Sequence, residues 1–144
     1  MLEDLDRLVL VHADFRTGNL IIGPDRLRAV LDWEGAHRGD PHEDLAYIAL
    51  TSWRFGEIDK PVGGFGSRED LYEAYERAGG VAVSRERTRF FEVAFTMNWG
   101  IQCAQMARQF LDGSDNSVER GAIGRRRSET ELDLLRLLDG DGDA

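Results

Sequence analysis

The side chains in this sequence most able to do chemistry are His12, Asp14 and Asn19, spaced His-x-Asp-x-x-x-x-Asn, with Asp32 thirteen residues further on. Phosphoryl transfer from a nucleotide needs little more than this. A carboxylate must accept or orient the proton of an acceptor hydroxyl, and oxygen ligands must hold Mg²⁺ on the phosphates. Mg²⁺ takes carboxylate and amide oxygens and keeps several of its waters. The spacing offers a base and an amide ligand on one tight loop, and a hairpin returning from Asn19 can bring a strand-end aspartate back as a second ligand. Aspartate and asparagine also bond their own backbone readily, so either residue taken alone reads equally well as a turn former.

Short strands and capped helices must position these groups. Leu8 to Val11 reads as a buried strand. Leu20 to Ile22 and Leu27 to Leu31 read as two more, joined through the turn signal Gly23-Pro24-Asp25-Arg26. The chain is then expected to leave β structure. Asp40-Pro41-His42-Glu43 has the form of a helix start: Asp40 as N-cap, Pro41 at the first helical position and Glu43 at the capping-box position. Leu45, Ile48, Ala49 and Trp53 follow at helical spacing. Phe55 to Gly66 reads as a glycine-rich loop. Further helices are expected from Ser67 to Ala78, from Ser84 to Asp112, and from Asn116 to Leu138. The last has Leu132, Leu135 and Leu138 on one side and is weakened by Gly121 and Gly124. His37 and His42 read as surface residues of a loop and a first turn.

Three segments, His12-Ala13-Asp14-Phe15-Arg16-Thr17-Gly18-Asn19, Leu31-Asp32-Trp33-Glu34 and Gly39-Asp40-Pro41-His42-Glu43-Asp44-Leu45-Ala46, stand in this order and spacing. Together they resemble the aminoglycoside phosphotransferase family, which has the protein-kinase-like fold. That family includes choline-kinase-like enzymes and kinase-like domains joined to some acyl-CoA dehydrogenases. The resemblance implies Asp14 as catalytic base and Asn19 and Asp32 as Mg²⁺ ligands. It implies a second-metal or water contact for Glu34, which reads equally well as a solvated charge at the hairpin end. It also implies that Asp44 is a buried aspartate bracing the catalytic loop by hydrogen bonds to the loop backbone and that His12 packs beneath the metal-binding segment. Ala13 stands where glycine is commonest in the family.

The fold class expected is α+β and mainly helical: a kinase-like C-terminal lobe over 1–138, with the catalytic loop and metal hairpin at 8–34, a helical substrate subdomain at 40–138 and a disordered acidic tail at 139–144. The N-terminal nucleotide lobe is expected to be absent. Lys60, the only lysine, follows the motif rather than preceding it, and Gly63-Gly64-Phe65-Gly66 lacks the paired strands and lysine of a phosphate-covering loop. The implied reaction moves the γ-phosphoryl of ATP or GTP to a hydroxyl of a small molecule: an aminoglycoside-like, choline-like, sugar or hydroxyacyl-CoA acceptor. The alternative is a truncated, non-catalytic lobe used for binding or dimerisation. A homodimer or a partner chain is expected to supply the missing lobe.

Bulk properties narrow the class. A chain of 144 residues can bury a real core, and a net charge of −9 argues against nucleic acid and anionic membranes as partners. No apolar run approaches the length of a membrane span, the N-terminus is acidic where a signal peptide is basic, and the single cysteine, Cys103, fits a reducing cytoplasm. Cys103 lies among apolar helical residues and reads as buried. Arg125-Arg126-Arg127 reads as a solvated helix face.

Overall fold

A computed structural model of the protein describes residues 8–139. Four short strands come first: β1 (Val9–Val11), β2 (Leu20–Ile22), β3 (Leu27–Val30) and β4 (His37–Gly39). They form two antiparallel pairs. β2 and β3 make the expected hairpin, Leu20 opposite Val30, closed where the Gly23 N–H donates to the Arg26 carbonyl at 2.8 Å. The other pair joins β1 to β4, with Val9 opposite Gly39 and Val11 opposite His37. β4 corrects the expectation that the chain leaves β structure after Leu31. His-Arg-Gly carries no β-branched or aromatic residue, so propensity does not announce it. It is a strand because β1 needs a partner for its backbone.

Helix α1 (His42–Tyr47) begins with reciprocal capping. The Asp40 carboxylate accepts from the His42 N–H at 2.9 Å, and the Glu43 carboxylate accepts from the Asp40 N–H at 2.8 Å. The helix is shorter than its apolar spacing suggests, and a separate 3₁₀ turn covers Thr51–Trp53. Leu45, Ile48, Ala49 and Trp53 are nevertheless all buried, and with Val11, Ala46, Leu50, Val62 and Tyr72 they form the apolar core of this region.

His42 is not a surface residue. It is buried, with Nδ1–H donating to Asp40 at 2.6 Å and Nε2 accepting from the Ser84 N–H at 2.9 Å. Those two partners fix one neutral tautomer. The second Asp40 oxygen accepts from Arg87 through Nε at 3.0 Å and through Nη2. His37 is exposed, as expected, but on β4. Its Nδ1–H donates to the Gly35 carbonyl at 3.0 Å and its Nε2 lies 3.1 Å from Glu43.

α2 (Arg68–Arg77) is capped by Ser67, whose hydroxyl accepts from the Asp70 N–H at 3.1 Å. The 27-residue α3 (Arg85–Leu111) follows. Arg68 and Glu92 are both buried and meet along two edges, Nε to Oε1 at 3.3 Å and Nη2 to Oε2 at 2.7 Å. Such a fork satisfies two charges that neither residue could bury alone. The chain divides into two compact units, Met1–Glu92 and Val93–Ala144, with the boundary inside α3.

In the second unit the single helix expected from Asn116 to Leu138 is two, α4 (Val118–Gly124) and α5 (Arg127–Asp139). Gly124 is more than a weak point. A Cβ there would lie 2.7 Å from the backbone of Ala107, so glycine is what lets α4 approach α3. The break re-phases α5. Leu132, Leu135 and Leu138 face solvent, while Thr130 and Asp133 are buried and Leu134 and Leu137 half-buried along the opposite stripe. Gly100 makes room for Thr130, whose hydroxyl would stand 2.6 Å from a Cβ at that position. Arg126 and Arg127 pair with Glu129 and Glu131 at 2.9 and 2.8 Å, and Cys103 is fully buried. Asp139 is the last residue of α5, and the rest of the expected tail, 140–144, lies outside the described residues. No helix among the described residues is long and apolar enough to cross a membrane.

The Asp40 cap carries a pH-dependent prediction. Burial acts to raise its pKa, but the hydrogen bonds from the His42 backbone and ring and from Arg87 outweigh it and hold the carboxyl below the ordinary 3.8. A lowered folded pKa means that the stabilisation is complete above the unfolded value and drains as pH falls through the folded one. Asp40→Ala should therefore cost about 2 kcal/mol at neutral pH, the upper range for a cap that also satisfies side chains. In urea titrations the difference from wild type should shrink below about pH 4.

Candidate functional site

The loop from His12 to Asn19 lies between β1 and β2 and ends in a 3₁₀ turn, Thr17–Asn19. Its shape is imposed from outside. Ala13 sits at φ +71°, in the left-handed region that glycine favours, which explains why glycine is the commoner residue at this point of the motif. Two consecutive N–H groups there converge on one carboxylate. His12 N–H donates to Asp44 at 2.8 Å and Ala13 N–H donates to its other oxygen at 3.0 Å. Asp44 is half-buried, on α1.

His12 ties the loop to the far end of the hairpin. Its Nδ1 accepts from the Asp14 N–H at 3.1 Å, so its proton is on Nε2, which donates to the Leu31 carbonyl at 2.7 Å. The ring is buried, edge-on to Trp33 at 4.6 Å and to Phe15 at 6.0 Å.

Asp14 is the most heavily bonded side chain of the loop. One oxygen accepts from Arg16 Nε at 3.2 Å and the other from the Asn19 amide at 2.6 Å. The same amide nitrogen donates to the Asp14 carbonyl at 2.9 Å. Both Asn19 contacts are to acceptor oxygens, so the amide orientation is chemically forced, and no described residue donates to the amide oxygen. Tyr47, at the end of α1, also bonds the Asp14 carboxylate. Burial, followed by the charge of Asp14 and that hydrogen bond, pushes ionisation of the phenol well above its ordinary value.

Asp32 follows Leu31 directly, and the Leu31 N–H donates to the Asn19 carbonyl at 2.8 Å while its carbonyl is held by His12. The backbone therefore brings Asp32 to the Asn19 end of the loop, at φ +61°. The Asp32 and Glu34 side chains are exposed and have no hydrogen-bond or ion-pair partner among the described residues. Among those residues no group of three or more His, Cys, Asp or Glu side chains forms a ready metal cage. Mg²⁺ does not require one: one or two protein oxygens with phosphates and water suffice. An amide oxygen with no donor and an unpaired carboxylate on adjoining backbone suit that demand.

Arg16, Tyr47 and the packing of Trp53 at this site are additions that spacing did not signal. Trp53, placed by its helical spacing on an apolar face, is buried. It stacks on Tyr47 at 5.8 Å between centroids and carries the Arg16 guanidinium over its ring at 5.3 Å. The Gly63-Gly64 turn also reaches the loop. Both glycines have positive φ, a Cβ on Gly64 would strike the Arg54 carbonyl at 2.6 Å, and one on Gly63 would meet the Thr17 methyl at 2.8 Å. The glycines serve a tight turn against the His12–Asn19 loop.

A profile described as "Phosphotransferase enzyme family" matches residues 1–91, more than half of the chain. The chain belongs to this family. The crystal structure of a provisionally assigned aminoglycoside phosphotransferase from Ralstonia eutropha JMP134 superposes with a TM-score of 0.70 at 23% identity, over 95% of this chain and 44% of that one. The fold is thus the kinase-like phosphotransferase fold, of which this chain covers a part. Acyl-CoA dehydrogenase family member 11 of Pongo abelii is 31% identical over 140 residues, 88% of this chain and 18% of that protein. The Gallus gallus protein of the same name is 30% identical over 94% of this chain and 19% of its own length. Acyl-CoA dehydrogenase family member 10 of Mus musculus reaches 52% identity over 47 residues, 31% of this chain and 4% of that protein. This phosphotransferase-family chain spans under a fifth of the length of these curated relatives.

Two stability measurements probe the brace. Asp44→Ala leaves the His12 and Ala13 N–H groups without their acceptor, so chemical denaturation should show a loss of about 2–4 kcal/mol. An Asp44→Ala protein that unfolds like wild type would mean the loop holds its shape unaided. Ala13→Gly should raise stability by up to about 1 kcal/mol, because relief of left-handed strain exceeds the extra unfolded-state entropy of glycine.

Proposed function

We propose that this chain is the catalytic-loop part of a phosphotransferase that moves the γ-phosphoryl of ATP, or GTP, to a hydroxyl of a small molecule. The observation that carries the reading is the Asp14–Asn19 pair. The Asn19 amide orients the Asp14 carboxylate through its nitrogen while its oxygen accepts no hydrogen bond from a described residue, and the Asn19 carbonyl is bonded by the N–H of Leu31, the residue before Asp32. In this proposal Asp14 takes or orients the proton of the acceptor hydroxyl. Asn19 and Asp32 would hold Mg²⁺, and Glu34 would hold a second ion or its waters. The ion, when bound, neutralises charge on the phosphates. Asp44 and His12 act one step back, keeping the loop and the hairpin end in register. The acceptor class is a small-molecule hydroxyl, and the names of the relatives span an aminoglycoside and an acyl-CoA. A cytoplasmic location belongs to the same proposal.

A second reading, a non-catalytic module that pairs with another chain or copy, is favoured by the exposure of Leu10, Ile21, Ile22, Leu27, Leu31 and Trp33 on and beside the two strand pairs. Apolar side chains gathered at short strands normally meet something.

The two readings differ in what the 144 residues do alone. Positioning and charge compensation of the phosphates make up nearly all of catalysis here, and within this sequence no lysine or glycine-rich strand turn precedes the catalytic loop. By calorimetry the chain alone should bind Mg²⁺-ATP weakly or not at all and release no phosphate over a panel of hydroxyl acceptors. Micromolar binding with turnover abolished by Asp14→Asn would make the short chain a complete enzyme. Supplying the rest of a kinase-like fold in trans should restore Asp14-dependent transfer if the first reading is right, and should leave it absent if the second is.

A further inference from the structure

Asp14 is the carboxylate on which the proposed function turns, and its partners decide what it can do. A carboxylate offers about four acceptor positions. Arg16 occupies one at 3.2 Å and Asn19 a second at 2.6 Å. Tyr47 is placed to take a third. It lies three residues after Asp44 on α1, so the two side chains share a helix face, and Asp44 already grips the loop at His12 and Ala13. Its ring is half-buried and stacks on Trp53 with a 30° interplanar angle. The same indole carries the Arg16 guanidinium on its ring. One buried tryptophan thus orients two of the donors that meet Asp14. The raised ionisation of Tyr47, caused first by burial and then by the charge and hydrogen bond of Asp14, agrees with a phenol that keeps its proton and donates it.

We infer that Tyr47 is a positioning residue for Asp14: its hydroxyl, with the Asn19 amide and the Arg16 guanidinium, fixes the carboxylate in one orientation and leaves a single acceptor position open for a substrate hydroxyl. The inference deepens the reading of Asp14 as the base and rests on it for its catalytic meaning. The contact itself does not depend on that reading. The contribution assigned to Tyr47 is geometric: its phenol donates a hydrogen bond and transfers no proton. A carboxylate with two donors can rotate about its terminal torsion, which is broad; one held on three sides cannot.

The test uses the full chain and reads the bond rather than the reaction. The tyrosine Fermi doublet in ultraviolet resonance Raman spectra distinguishes a phenol that donates to an anion from one that does not. The wild type minus Asp14→Asn difference spectrum should show one of the three tyrosines moving from strong donor to weak donor. The wild type minus Tyr47→Phe spectrum should identify that tyrosine. In ¹⁵N spectra, Tyr47→Phe should shift the Asn19 side-chain amide and the Arg16 Nε resonance, whereas Tyr72→Phe should leave both in place. A doublet indifferent to Asp14→Asn overturns the inference, as do Asn19 and Arg16 signals that ignore Tyr47→Phe. If Tyr47→Phe does not fold, the Asp14→Asn spectrum decides alone. A chain that shows these changes but never transfers phosphate, even when complemented, overturns the proposed function and leaves the contact standing.

Discussion

The structure around the candidate site depends on one carboxylate accepting two adjacent backbone N–H groups. Successive amides of an extended chain point to opposite sides. His12 and Ala13 nonetheless both reach Asp44, and directly after these two bonds the chain turns through the left-handed region at Ala13, at φ +71° despite its methyl group. The strain of about 1–2 kcal/mol is offset by two charge-assisted hydrogen bonds. Everything downstream inherits that turn. It ends β1, sends the chain through Asp14, and closes the 3₁₀ turn at Asn19 where β2 starts.

Asp44 can serve as an anchor only because α1 is itself anchored. The helix is six residues long, too short to be stable from its own backbone. Its start is held by the Asp40–Glu43 capping exchange, its first turn by buried His42 bonded to Asp40 and Ser84, and its apolar side by the core. A polar chain of support therefore runs from α3 through Arg87 and Asp40 into α1, and from Asp44 into the loop. Each member is satisfied, which is the condition under which a buried polar network rigidifies rather than weakens a fold.

Much of this was legible in sequence, and unevenly so for physical reasons. The β2–β3 hairpin, the Asp40 and Ser67 caps and the glycine stops announce themselves through local chemistry: turn residues, side-chain acceptors and positive φ. The Asp44 brace was accessible only through resemblance, since nothing local says which carboxylate will find two amides thirty residues away. β4, buried His42 and the break in the last helix were not legible. β4 is defined by its partner strand, His42 by long-range bonds that a first-turn histidine does not advertise, and the phase of α5 by how closely Gly124 lets α4 approach α3. At the candidate site, Asp14 and Asn19 stood out by spacing. Arg16 and Tyr47 did not, because the packing on Trp53 that sets both side chains is a contact between segments with no shared periodicity.

The Asn19 amide ties the two halves of the proposed chemistry together. Its nitrogen donates to both the carboxylate and the carbonyl of Asp14, so the amide plane cannot turn without losing two bonds. The oxygen is rigidly attached to that plane. Any cation it held would stand at a fixed offset from Asp14, and a phosphate on the cation would inherit the offset. An aspartate at this position would have the same size and one more oxygen to offer a metal, yet it would set a carboxylate against the Asp14 carboxylate at hydrogen-bond distance. One of the pair would then take up a proton, lowering the charge available to both roles. The amide avoids that conflict, being a donor toward the carboxylate and an acceptor away from it. A neutral side chain with two unlike ends is therefore what would let a base and a cation-binding oxygen stand five positions apart in the chain.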